Sequence, residues 1–192
     1  MGFELKIHDL YWIDDSDDNP DDLCLHGKVL VKIGDELVDD GTKDSWTVSA
    51  GAYHMLKSVY EAHIPSRNSA HMFPCCGHFM CIDETSGKLG IIGCPSGLDW
   101  TVTHEDDTVK LTTGAGIQAT IPLAQYRNIV FVFADEIKAF YETCAPKISP
   151  TEAFEHDAWK RFWRDWEQWR HPQKQSTPCK KGKHAQNGNL IS

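Results

Sequence analysis

The sequence lacks several features that would assign it to a functional class. No stretch approaches the roughly 20 consecutive apolar residues of a membrane-spanning helix, and residues 1–10 lack the basic start and apolar run typical of a signal peptide. We therefore expect a cytoplasmic protein that does not bind membranes. The phosphate-binding patterns GxxxxGK(S/T) and GxGxxG are also absent, so the glycine-containing residues 90–97 predict a strand followed by a turn.

The length and the C-terminal composition predict one domain with a tail. The 192 residues suit a single domain, because domains commonly contain roughly 100–200 residues, and the chain has no internal repeat. We assign this domain to residues 1–171. Residues 172–192 contain four lysines and no acidic residue. A polar, basic segment of this kind cannot fold by burying apolar surface, so we expect a disordered tail.

The negative charge is concentrated at the N-terminus. The formal net charge is −9, and residues 1–44 account for all of it with 13 acidic residues against four lysines. Such a surface repels nucleic acid and attracts cations or a basic protein, although it also serves solubility alone. We predict contacts with a basic partner protein from the aspartates of residues 14–22, which form a solvated loop: Asp14, Asp15, Asp17, Asp18, Asp21 and Asp22.

Alternating apolar residues predict an antiparallel sheet. Residues 3–12 and 23–33 alternate with the period of two that is typical of half-buried strands. Short strand-like pieces separated by turn residues follow over residues 79–122. Because parallel strands need long crossovers, this close spacing predicts an antiparallel meander.

Three helices are predicted to cover that sheet. The first runs from about Ala50 to His63 with Ser49 as its N-cap. The second begins at Pro122 and continues to Pro146, and the third lies between about residue 149 and residue 172. The fold class is therefore α+β, with N-terminal strands and a central meander covered by one mid-chain helix and two C-terminal helices.

Residues 71–94 concentrate soft metal ligands. Seven cysteines, an odd number, with no export signal make a disulfide framework improbable, and reduced thiols or metal ligands are expected instead. Zinc takes four nitrogen or sulfur ligands at close sequence spacing. The zinc ligand candidates are His71, Cys75, Cys76, His78, Cys81 and Cys94.

Two other interpretations of the same residues stay open. Cys75 or Cys76 could act as a nucleophile with His71 or His78 as its base. Alternatively the cysteines pack in the core, because free cysteine is among the most often buried residue types. We favour packing, with residues 71–94 supplying the first two strands of the meander. An acid-base trio of Asp99, His104 and Glu105 is rejected, since alternation places His104 on the opposite face of its strand.

The third predicted helix carries a stripe of aromatic residues. Trp159, Phe162, Trp163 and Trp166 share one face, and each aromatic side chain can bury on the order of 150–250 Å². We expect the stripe to close the core. Trp166 and Trp169, near the end of the helix, are the residues predicted to contact a partner, because tryptophan is enriched in binding hot spots.

A wider pattern spans residues 46–170. It comprises residues 46–50, 74–79, 93–100, 133–147 and 162–170. Taken together, these stretches resemble a group of small bacterial proteins of unassigned activity, some of which are similar to the immunity proteins of polymorphic toxin systems. That resemblance implies an acidic, single-domain, cytoplasmic antidote. It includes no catalytic motif, so it transfers no site residue.

The function expected from the sequence is non-enzymatic binding of a basic protein, and the resemblance implies that this partner is a toxin domain that the chain neutralises by occlusion. No cofactor is expected under this hypothesis. A small zinc-binding or thiol-dependent enzyme that uses the region from Cys75 to Cys94 is the alternative. A structural subunit that assembles through the tryptophan-rich helix is a third possibility.

Overall fold

The computed structural model of the protein describes residues 2–13, 18–66, 70–77 and 79–172. These residues form β-strands and three α-helices, and the strands pair in antiparallel fashion. The predicted α+β class is therefore confirmed. The strands are β1 (Phe3–Tyr11), β2 (His26–Ile33), β3 (Glu36–Asp40), β4 (Trp46–Thr47), β5 (Phe73–Pro74), β6 (Phe79–Ile82), β7 (Leu89–Ile92), β8 (Gly97–Leu98), β9 (Trp100–Glu105), β10 (Thr108–Thr113) and β11 (Gln118–Pro122).

The N-terminal strands form a four-stranded sheet in the order β1-β2-β3, with β4 pairing on β2. Phe3 lies opposite Ile33, and Leu5 lies opposite Val31. These four side chains are buried, whereas Lys32 of β2 is exposed. The period-two alternation therefore predicted both the strands and the face that they bury.

The predicted meander is divided among three smaller sheets. Strands β9, β10 and β11 pair consecutively, β6 and β7 form a separate hairpin, and β5 pairs with β8. The division arises because β8 returns to pair with β5, so that Gly97 lies opposite Pro74. The hairpin is thereby separated from the three-stranded sheet.

The helices are α1 (Val48–Ser58), α2 (Leu123–Thr143) and α3 (Ala153–Arg170). The second helix was predicted to begin at Pro122, and it begins one residue later, with Pro122 as its N-cap. The predicted N-cap Ser49 is wrong, because Ser49 lies inside α1, is buried, and donates both its amide and its hydroxyl to the carbonyl oxygen of Leu25. The helix also ends before His63, whose backbone instead bridges to Val102 in β9.

The aromatic face of α3 closes the core, as predicted. Trp159, Phe162 and Trp166 are buried, and the rings of Trp159 and Phe162 stack with their centroids 5.6 Å apart. Phe162 also stacks on Tyr53 of α1 at 5.1 Å. The last helix is thus fixed to the first one through ring contacts.

A buried polar network joins α3 to α1 and to the β6–β7 hairpin. Asp165 accepts hydrogen bonds from the Tyr53 hydroxyl at 3.0 Å and from Arg161 Nε at 2.6 Å. Arg161 also donates from Nη1 to the carbonyl oxygen of Gly87, in the turn of the hairpin, at 2.7 Å. The hairpin tip is therefore held against α3 by a charged side chain that also neutralises a buried carboxylate.

Candidate functional site

An open groove of about 660 Å³ lies beside the acidic loop. One wall is formed by the end of that loop and the two residues after it (Asn19, Asp21, Asp22, Leu23 and Cys24), and another by Phe79 and Met80 of β6. The segment between α2 and α3 completes it with residues 148–151, together with Glu155 and Trp159 of α3. Three parts of the chain that are distant in sequence therefore meet at one surface.

Large apolar side chains stand exposed in and around this groove. Ile13 is 62% exposed and Ile148 is 54% exposed, and both line it. Phe79 is 43% exposed, and its ring centroid lies 6.2 Å from that of Phe154, which is 54% exposed. Exposed apolar side chains are common singly, but a cluster of them marks an interaction surface.

The described aspartates of the acidic loop have different environments. Asp18 accepts a hydrogen bond from Lys147 Nζ at 2.9 Å and another from the backbone amide of Ala145. The hydrogen bond from Lys147 lowers the pKa of the Asp18 carboxyl. Lys147 is itself almost buried, with its ammonium 3.4 Å from the centre of the Trp12 ring. Asp18 therefore anchors the loop to the segment after α2.

Asp22 also has a structural role, whereas Asp21 is exposed. The Asp22 carboxylate accepts from the backbone amides of Ile13 and Cys24 at 3.0 and 2.9 Å, which closes the loop at its base. Asp18 and Asp22 therefore hold the loop in place, and partner contact by their carboxylates stays a prediction. Asp21 lies in the groove wall with its side chain exposed. Asp14, Asp15 and Asp17 lie outside the described residues.

The two tryptophans predicted as partner contacts also differ. Trp166 is completely buried, so its assignment as a surface contact is corrected, since its ring packs against Phe162 and Trp163. Trp169 is partly exposed and lies edge-on to Tyr53 at 4.9 Å. Trp166 points inward because it extends the apolar stripe of α3 by one further turn.

A cluster of three sulfur atoms lies near the hairpin. Cys75 and Cys94 form a disulfide, with their Cα atoms 6.7 Å apart, and the Sγ atom of Cys76 lies within 4.8 Å of both partners. The expectation of reduced thiols is therefore corrected for Cys75 and Cys94, whereas Cys76 is a free cysteine. All three residues are partly buried, and Cys75 packs against the core.

The glycines of this region allow the two cysteine-bearing segments to approach each other. A Cβ atom at Gly93 would collide with the carbonyl oxygen of Cys76, and one at Gly97 would collide with the carbonyl oxygen of Phe73. The amide of Cys75 donates to the carbonyl oxygen of Ser96 at 3.0 Å. Sequence spacing alone did not indicate which cysteines this close approach would join.

Two of the remaining zinc candidates are described by the structure, and neither belongs to the sulfur cluster. His71 and Cys81 are not among the side chains that converge there, and His78 lies outside the described residues. Cys24, which the sequence did not single out, is buried beside the groove. Burial raises the pKa of its thiol to about 12, so Cys24 is protonated at neutral pH and is a poor nucleophile.

A histidine–aspartate pair lies on the other side of the hairpin and was missed in the sequence. His63 Nε2 lies 2.6 Å from the Asp99 carboxylate, which also accepts the backbone amides of Met72 and Trp100. His104 instead contacts the carbonyl oxygen of Ser58, in agreement with rejection of the acid-base trio. The pair fastens the segment after α1 to β9, and no local motif signals it because 36 residues separate the partners.

Comparison with known proteins gives no relative, since no family model, curated protein or solved structure matches the chain. Within the described ranges, no helix has both the length and the apolar character needed to cross a membrane. A functional proposal must therefore be based on the groove and the sulfur cluster themselves.

Proposed function

We propose that the chain is a non-enzymatic protein-binding protein whose groove takes a basic segment with apolar anchors from a partner protein. The observation that carries this proposal is the cluster of exposed apolar side chains in and around an open groove that adjoins the acidic loop. The combination suits a protein ligand, because apolar contacts supply affinity while opposite charge supplies orientation and speed of encounter.

The apolar part of the surface supports binding through anchor residues. Burying apolar surface contributes roughly 25 cal/mol per Å², and a few aromatic or aliphatic anchors commonly dominate an interface. Phe79 and Ile148 occupy two different walls of the groove. A partner side chain inserted between them would contact both walls at once.

The charged part of the surface favours a partner with a positive charge. Residues 1–44 carry the entire net charge of −9, and Asp21 and Glu155 place carboxylates in the groove itself. A basic partner is attracted to such a surface and associates faster at low salt. Under the resemblance to immunity proteins, that partner is a basic toxin domain, and the chain neutralises it in the cytoplasm by covering its active surface.

The test uses the purified product of the adjoining reading frame as the probe, because an immunity protein is usually encoded beside its toxin. We expect a one-to-one complex by biosensor and by sedimentation. A double substitution, Phe79→Ser with Ile148→Ser, is expected to weaken binding at least about 30-fold, since loss of one anchor alone costs about 2 kcal/mol.

The matched control is the substitution of two exposed apolar residues outside the groove, Leu37→Ser with Val132→Ser. This variant is expected to bind like the wild-type chain. Absence of any complex would overturn the immunity-type function. Equal losses in the two variants would overturn the assignment of the groove as the interface.

The charge contribution is tested by reversing aspartates of the acidic loop other than Asp18 and Asp22, whose carboxylates accept hydrogen bonds within the chain. Changing Asp14, Asp15, Asp17 and Asp21 to lysine is expected to slow association and to flatten its dependence on ionic strength. The control makes the same total change in charge at exposed positions outside the groove: Asp35, Asp44, Glu105 and Glu136. If both variants associate at the same rate, the loop has no specific part in recognition.

A further inference from the structure

We propose that Cys75, Cys76 and Cys94 form a thiolate site for Zn²⁺ or a similar soft divalent cation, and that the Cys75–Cys94 disulfide closes this site when it is oxidised. The site is separate from the protein-binding groove, and the proposal does not depend on the function of that groove. It is based on the convergence of three sulfur atoms from two segments of the chain.

The sulfur positions suit one tetrahedral ion. All three Sγ atoms lie within 4.8 Å of one another. In a tetrahedral zinc site with Zn–S bonds of about 2.3 Å, sulfur atoms lie roughly 3.8 Å apart. Small side-chain rotations after reduction therefore suffice to place all three sulfurs around one ion, and the fourth position is left for solvent or an added ligand.

The backbone around the cluster holds the two segments in place. Strands β5 and β8 pair immediately beside it, and the Cys75 amide donates to the carbonyl oxygen of Ser96. The amide of Cys94 donates to the Sγ atom of Cys76 at 3.2 Å. A backbone N–H directed at sulfur stabilises the thiolate form, which is the form that binds metal.

The redox step balances as a two-electron exchange. A small dithiol reductant transfers two electrons and two protons to the Cys75–Cys94 disulfide, giving two thiols in the protein and one disulfide in the reductant. Binding of Zn²⁺ by the three thiols then releases three protons. In the oxidised chain Cys75 and Cys94 have no thiolate to offer, so one thiol remains and the site is closed.

The experiment uses the full-length chain without an affinity tag, reduced by a dithiol and then freed of reductant under nitrogen. Co²⁺ is titrated as a spectroscopic probe, since sulfur-to-metal charge transfer and visible d–d bands report thiolate ligation and tetrahedral geometry. Zn²⁺ is then added in competition. We expect one Co²⁺ per reduced chain, displaced by Zn²⁺, and no such bands from the oxidised chain.

Single substitutions identify the ligands. Cys76→Ser and Cys94→Ser are each expected to lower affinity by at least about 100-fold, the upper end of the effect known for outer-shell partners alone. Cys81→Ser and Cys144→Ser remove free thiols outside the cluster, and Cys179→Ser removes the cysteine of residues 172–192. These three controls are expected to bind like the wild-type chain.

Three results would overturn the proposal. Less than half an equivalent of Co²⁺ in the reduced wild-type chain would exclude the site, and unchanged affinity in Cys94→Ser would exclude these ligands. Binding of Co²⁺ by the oxidised chain with equal affinity would exclude control of the site by the disulfide. Because Cys76→Ser keeps the Cys75–Cys94 disulfide, its fold can be verified by circular dichroism in the oxidised state before reduction.

Discussion

Two regions of this protein are stabilised in different ways. The first, which we call the body, consists of the four-stranded sheet, the β9–β11 sheet and the three helices. The second, the cysteine segment, comprises residues 70–77 and 79–98. Strands β1 and β2 have nine and eight residues, whereas β5 to β8 have two to four. Both regions bury apolar side chains in one core, but the cysteine segment is also held by a disulfide, by the hydrogen bond from Arg161 and by close backbone approaches at glycines.

The difference matters for function because the cysteine segment contributes to both candidate sites. Phe79 and Met80 line the groove, and Cys75, Cys76 and Cys94 form the sulfur cluster. A segment with short strands can be repositioned at lower cost than a long strand in a central sheet. If this comparison is correct, changes in the body should affect global stability, and changes in the cysteine segment should act locally.

The largest loss of stability is expected from a substitution in the body. Trp166→Ala would remove a completely buried ring and lower the free energy of unfolding by roughly 3–5 kcal/mol, as is usual for loss of a large core aromatic. Denaturant unfolding measures this change. Trp166→Phe is expected to cost less, because the indole N–H of Trp166 has no partner among the described residues.

Trp169→Ala is the matched control for Trp166→Ala. Trp169 lies in the same helix but is partly exposed, so its loss is expected to cost about 1–2 kcal/mol. Equal losses of unfolding free energy at the two positions would contradict the difference in burial between Trp166 and Trp169. Trp166 would then again be a candidate for contact with a partner.

The second prediction concerns the junction between the two regions. Asp165→Asn would leave the partly buried Arg161 without its carboxylate and weaken the hydrogen bond from Tyr53. We expect a loss of about 2–4 kcal/mol, together with faster amide exchange in β6 and β7, because Arg161 also holds Gly87. Asp157→Asn, an exposed change in the same helix, should have neither effect. If amide exchange in the hairpin of the Asp165→Asn variant stays as slow as in the wild-type chain, the hairpin does not depend on this network.

The long elements of the body could be predicted from the sequence because each of them has a period, whereas the two-residue strand β4 could not. Alternation over β1 and β2 and the apolar stripes of α2 and α3 depend on neighbouring residues alone. The predicted helix start is wrong where contact with a strand that is distant in sequence determines the local structure. Ser49 looked like an N-cap, but pairing of β4 with β2 starts the helix earlier and buries its hydroxyl.

The candidate site could be predicted only in part. The sequence drew attention to the cysteines of residues 71–94, but it could not show that β8 returns to β5 and so brings Cys94 to Cys75. Nor could it show that Lys147 would neutralise Asp18 from 129 residues away. Contacts of this kind depend on tertiary folding, and no local pattern encodes them.

The third prediction tests the cysteine segment by itself. Reduction of the disulfide in the presence of a metal chelator is expected to lower the free energy of unfolding by about 2–3 kcal/mol, because the disulfide closes a loop with a sequence separation of 19 residues. Faster amide exchange should be confined to residues 70–98. The double variant Cys75→Ala with Cys94→Ala should not respond to the reductant. An equal response in that variant would show that the effect comes from elsewhere.

The smallest effect is expected at His54, where α1 meets the cysteine segment. Its Nδ1 donates to the carbonyl oxygen of His71 at 2.9 Å. Burial, aided by the nearby charge of His63, lowers the pKa of His54 from 6.5 to about 4. The folded state therefore favours the neutral ring, and the unfolded chain binds the proton more readily. The stabilising contribution is complete above pH 6.5 and is lost as the pH falls toward 4.

Urea unfolding between pH 7 and pH 4.5 measures that contribution. We expect the wild-type chain to lose about 1–2 kcal/mol more over this range than His54→Gln, whose side chain does not titrate, since partial exposure reduces the full linkage value. His8→Gln, at an exposed position, should retain the wild-type pH dependence. Parallel curves for wild type and His54→Gln would mean that the imidazole is solvated. The contact between α1 and His71 would then be too loose to link the body to the cysteine segment.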